Sequence, residues 1–138
     1  MNDEKVGEHS YQVGKLGAMD QLLVGRRLSN VLAVLAHTRR EDKAALSDTS
    51  AMARAMCMLS ADMPTNEVNE AVFVSLACVK RKVGTEYAQV VNNNQLMYQD
   101  LKLEELLALV WLVVRDNGIM DFFSVPRSEL KGGGKKKP

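Results

Sequence analysis

The chain has 138 residues, 46% of them hydrophobic and 25% charged, with a formal net charge of +1. That length suits one domain able to bury a core of its own. The near-neutral balance argues against a broad electrostatic surface for nucleic acid, and two cysteines, Cys57 and Cys78, make no disulfide scaffold and fit a reducing compartment.

Residues 1–9 are polar, carry acids and read as a flexible N-terminus with no signal peptide. One globular domain is expected over residues 10–125. Ser10 to Gly14 alternates weakly and is available as a short strand, with Gly14 and Gly17 as turn residues. A helix begins at Ala18, where Met19, Leu22, Leu23, Leu28, Val31, Leu32 and Leu35 share a stripe of period 3.6 and Arg26, Arg27, Ser29 and Asn30 face away. Gly25 inside it costs roughly 1 kcal/mol and points to close packing. His37 to Lys43 reads as a solvated connector of alternating charge.

A second helix starts around Ser47 to Ser50, with Met52, Ala55, Met56 and Leu59 as its stripe. Asp62-Met-Pro-Thr65 ends it and starts a third, with Thr65 as N-cap and Glu67 at the positive end of the dipole. Val68, Ala71, Val72, Ser75, Leu76 and Val79 form that helix's apolar face. Its expected close is Lys80-Arg81-Lys82 at the negative end, with Gly84 as the stop. Tyr87 to Val91 and Gln95 to Tyr98 then read as a β-hairpin around Asn92-Asn93-Asn94, because asparagine tolerates left-handed backbone.

A last helix is expected from about Leu101 to Arg115, capped by Asp100 and ended by Asn117-Gly118. It contains Leu106 to Val114, LLALVWLVV, which is apolar all round and must be covered on every side by its own domain or by a partner. The run is too short to span a bilayer, which takes about 20 apolar residues. Ile119 to Val125 is an apolar coda with Phe122 and Phe123, and residues 126–138 form a flexible basic Gly/Lys tail. The expected fold class is α+β, mainly α-helical with about four helices and a small antiparallel β-hairpin or sheet.

No catalytic chemistry assembles from these parts. His9 and His37 lie in polar segments, and Cys57 and Cys78 lack the spacing of a zinc site. No phosphate loop or nucleophile elbow is present, and Gly132-Gly-Gly-Lys135 has no strand before it and no helix after it. Glu104 and Glu105 are ordinary first-turn acids. No enzyme, cofactor or metal is expected. The eight methionines serve either as core filler or as an adaptable binding surface.

Two segments together resemble bacteriophage tail assembly chaperones. In the first, the strand-like Tyr11-x-x-Gly14-Lys15-Leu16 leads into a helix carrying Gln21-x-x-Val24-x-Arg26-Arg27-Leu28 and Val31 to Leu35. The second is Val90 to Leu103, followed by the apolar helix with Trp111, then Asn117 and the pair Phe122-Phe123. The resemblance spans roughly residues 11 to 123.

It implies a non-catalytic chaperone of long-tailed phages, acting in the host cytoplasm and absent from the mature virion. Its clients would be the tape measure protein, a long helical chain with apolar stripes, and the tail tube protein, with self-association as a further expectation and no membrane partner. Binding amphipathic helices needs an apolar groove or patch. The candidate contacts are Met52, Met56, Leu109, Trp111, Val113, Phe122 and Phe123, and the competing reading makes the same residues core. The family also makes longer forms by ribosomal slippage, for which Gly133 to Lys137 would be the place. Two other classes stay open: a small virion protein such as a head–tail connector or tail completion subunit, and a helical nucleic-acid-binding regulator using Arg26, Arg27, Arg39, Arg40 and Lys80 to Lys82.

Overall fold

The protein's structure, a computed structural model, is described over residues 3–34, 49–93 and 95–119. Its first element is a strand, β1 (Asp3–Val6), inside the stretch expected to be flexible. β1 pairs antiparallel with β2 (His9–Val13), Val6 opposite His9, so that Gly7 and Glu8 form a two-residue turn. Gly7 sits at φ +62°, the left-handed region that a turn of this length needs at its first position.

Helix α1 (Ala18–Arg27) starts at the expected residue and breaks at Leu28, after which residues 29–34 are helical again. The expected stripe holds at Leu28, Val31 and Leu32 and fails at Met19 and Leu22. Val24 and Gly25 are buried, and Leu28, Val31 and Leu32 follow them inward. Met19 and Leu22 face out, 75% and 48% exposed.

α2 (Thr49–Leu59) buries Met52, Ala53 and Met56. α3 (Thr65–Leu76) buries Ala71, Val72, Ser75 and Leu76. Pro64 occupies the N-cap position, so Thr65 is the first helical residue and not the cap. α3 packs on α1, and on the surface between them Arg27 Nε reaches Glu70 at 2.8 Å while a second guanidinium nitrogen lies 3.8 Å from Glu67.

The third helix does not run to Lys80-Arg81-Lys82. It ends at Leu76, and Val79–Val83 is strand β3. The segment alternates: Val79 and Arg81 point inward while Lys80, Lys82 and Val83 are exposed. That period of two belongs to a half-buried strand, not to a helix end. Gly84, at φ +66°, opens the two-residue turn into β4 (Glu86–Gln89) and is not a helix stop. The sheet order is β1-β2-β3-β4, antiparallel throughout, with Tyr11 opposite Arg81 and Arg81 opposite Ala88.

The hairpin expected between Tyr87 and Tyr98 is therefore divided. Its first arm pairs with β3, and only the short strands β5 (Val91–Asn92) and β6 (Gln95–Leu96) close around the asparagines. Asn93 takes φ +53°, as a tight asparagine turn requires.

α4 (Leu103–Asp116) buries every residue from Leu107 to Val114. It packs chiefly on α2, and also on α3 and on strands β1 and β2. Its cap is not Asp100: the Glu105 carboxylate reaches back to accept the Lys102 backbone N–H at 3.0 Å. Its end is as expected, Asn117 followed by Gly118 at φ +71°. Asn117 also ties the two ends of the domain together. Its Oδ1 accepts the Leu16 N–H at 2.8 Å, and its Nδ2 donates to the carbonyls of Gly14 at 3.2 Å and Val113 at 3.0 Å. Gly14 has no room for a side chain, since a Cβ there would stand 2.9 Å from the Cys78 carbonyl oxygen. The described residues thus form an α+β fold, mainly helical, with the four-stranded sheet and the apolar helix α4 sharing one core.

Candidate functional site

Five of the expected client contacts belong to the core. Met52, Met56 and Trp111 are 2% exposed, and Leu109 and Val113 are fully buried. A side chain with no accessible surface cannot meet a client in this conformation. Phe122 and Phe123, with His37, Arg39, Arg40 and the basic tail, lie outside the described residues.

The densest polar cluster centres on Arg81. Its guanidinium is buried, donating to the Tyr11 hydroxyl from Nε at 3.2 Å and Nη2 at 2.8 Å. Nη1 donates to both Asp100 carboxylate oxygens, at 3.1 and 3.2 Å. The cation lies 4.0 Å from the Tyr98 ring centroid and 5.4 Å from that of Tyr11, within cation–π range. His9 Nε2 stands 3.4 Å from Asp100 Oδ2, one of the oxygens that Arg81 also meets. The cluster joins β2 and β3 to the segment that leads into α4. Because Arg81 turns inward, the basic triplet makes no continuous surface patch.

The groups with shifted proton affinities move away from neutrality. Burial raises the Tyr11 hydroxyl, and Arg81 offsets only part of that. Desolvation pushes Asp100 upward, but the Arg81 guanidinium on its oxygens outweighs it and holds the carboxyl below its usual value. Burial also raises the Cys78 thiol, which donates to the Ser75 carbonyl at 3.3 Å. Catalytic acids and bases are tuned toward the working pH. These groups are instead locked in their ordinary charge states by internal bonds. Among the described residues, no cluster of His, Cys, Asp and Glu could hold a metal ion. Nor is any helix among them long and apolar enough to cross a membrane.

Among the described residues, one open apolar surface lies on α1. A groove of about 610 Å3 runs between α1 and the end of α4, lined by Ala18, Leu22, Gly25, Arg26 and Ser29 on one side and Gly118 and Ile119 on the other. A shallower hollow of about 170 Å3 flanks the same helix, lined by Met19, Leu22, Leu23, Arg26 and Arg27. Leu22 and Arg26, one turn apart, form the ridge between the two. Sequence reasoning missed this face because it assigned Met19 and Leu22 to the core. The signal that could have found it was in the helix itself: Val24, left out of the expected stripe, lines up with Leu28 and Val31 and leaves Met19 and Leu22 surplus.

The model of one protein family, described as phage tail assembly chaperone protein, TAC, matches residues 7–131. Searches of curated proteins and of solved structures find no match to the chain. The family match takes in β2 through α4, hence the whole helical core and both faces of the α1 groove. The chain belongs to the phage tail assembly chaperone family.

Proposed function

We propose that this protein is a non-catalytic chaperone that binds the tape measure protein of its phage in the host cytoplasm. It keeps that long helical chain soluble, assists delivery of tail tube subunits and leaves before the virion is complete. The observation that carries this reading is the apolar α1 face, on a domain whose polar cluster around Arg81 is satisfied internally. A helix stripe of a client buries apolar area by lying in such a groove. Co-expression with the tape measure protein, followed by affinity purification, tests the reading. The expected result is a co-purified and more soluble tape measure protein, with no copy of this chain in purified virions. A tape measure protein that stays insoluble and uncaptured counts against it.

A longer form belongs to the same proposal. Gly134 and Lys135 are encoded GGN-AAR and the next lysines AAR, a purine-rich run on which ribosomes can slip. The nucleotide sequence is expected to hold a slippery heptamer between Gly133 and Lys137 with an open overlapping frame. An immediate stop in that frame removes the idea.

A further inference from the structure

From the outer face of α1 we infer that the protein docks an amphipathic client helix that carries a carboxylate beside its apolar stripe. This rests on the tape measure reading and says where and by what chemistry the client is held. Three observations carry it.

The first is exposure. Met19 and Leu22 are 75% and 48% exposed on a helix that buries Val24 and Gly25. The second is shape. The face of α1 from Ala18 to Arg26 runs for about 12 Å, a little over two turns, with Leu22 and Arg26 as its ridge. Beside it, Ala18 and Ser29 put little side-chain bulk into the larger groove.

The third observation is charge. Arg27 is held by Glu67 and Glu70 of α3. Arg26, the next residue, lines both hollows, and no carboxylate pairs with it among the described residues. A guanidinium with no carboxylate partner among the described residues, set on an apolar ridge, selects a helix that brings an acid to the rim of its stripe, because a rim charge steers encounter and fixes register. A purely apolar or a basic helix would leave Arg26 unmatched.

The test replaces Leu22 with the photo-crosslinking residue benzoylphenylalanine in the full chain co-expressed with the tape measure protein. A second probe at Val83, exposed on the sheet, serves as the control. The expected product joins residue 22 to the tape measure protein, with none from residue 83. Arg26→Glu is expected to lose most of the captured client, and Arg26→Lys to retain it, both with unchanged circular dichroism. Crosslinks from residue 22 to a second copy, or to residues 120–138 of its own chain, overturn the assignment. So does undiminished capture by Arg26→Glu, while leaving the tape measure reading intact. Failure of the unmodified chain to capture any client overturns both.

Discussion

Leu109→Asp is expected to leave the protein without a cooperative unfolding transition. Leu109 is fully buried at the third position of the unbroken buried run Leu107 to Val114. α2, α3 and the sheet wall that run in, so a carboxylate at 109 has neither water nor a partner. Burying it unpaired costs several kcal/mol or more, on a domain whose whole stability is about 5–15 kcal/mol. Leu109→Ala removes only packing and is expected to cost about 2–5 kcal/mol, a lowered urea midpoint with the transition kept. Leu103→Asp is the control. It lies on the same helix but is 62% exposed, and its effect is expected within about 0.5 kcal/mol. Circular dichroism during urea titration reads all three. A soluble, cooperatively folding Leu109→Asp protein would show that α4 is not the centre of the core.

Arg81→Ala is expected to lower stability by about 3 kcal/mol. The substitution strands the Tyr11 hydroxyl, which is buried and has Arg81 as its donor at 2.8 Å, at about 1–3 kcal/mol for an unsatisfied group. It also removes the guanidinium that lies over the two tyrosine rings, together with the volume of the side chain. The Asp100 pair adds less, because that carboxylate is 59% exposed and screened. Arg81→Met restores volume and is expected to recover part of the loss.

The pair has its own signature in acid. The carboxyl of Asp100 sits below its ordinary value in the folded protein. Its contribution is therefore present above the unfolded pKa of about 4 and is lost as pH falls through the lower folded value. The stability gap between the natural protein and Arg81→Met is expected to stay constant from pH 7 to about pH 5 and to narrow below about pH 4. Urea midpoints across that range measure it, and a gap that does not narrow would show that Asp100 contributes nothing through Arg81.

Much of this was legible in the residues. Leu106 to Val114 has no polar side chain, so it had to be enclosed, and Asn117-Gly118 had to end it. Ala18 opened a helix, and the asparagines made a tight turn. Two further signals were present and outweighed. Val6-Gly-Glu-His9 and Val83-Gly-Thr-Glu86 both place glycine at the first position of a two-residue loop between β-compatible arms, the hairpin form the structure adopts twice. Val79-Lys-Arg-Lys-Val83 alternates like a strand, yet three basic residues ahead of a glycine also fit the end of a helix. Local composition could not choose between them.

What chose was the rest of the chain. β3 exists because β2, some 66 residues earlier, offers Val13 opposite Val79 and Tyr11 opposite Arg81. Burying Arg81 is tolerable because the Tyr11 hydroxyl accepts from two of its nitrogens and Asp100, from a third segment, meets the other. Propensity and periodicity act over a few residues, and they determined which segments are helical, where α4 ends and that it is covered. Strand partners, the inward turn of one arginine out of a basic triplet, and which of two apolar stripes on α1 remains outside are settled by distant neighbours. Those neighbours alone satisfy or bury the groups concerned, so the exposed ridge of Leu22 and Arg26 came into view only once Val24, Leu28 and Val31 had taken the core.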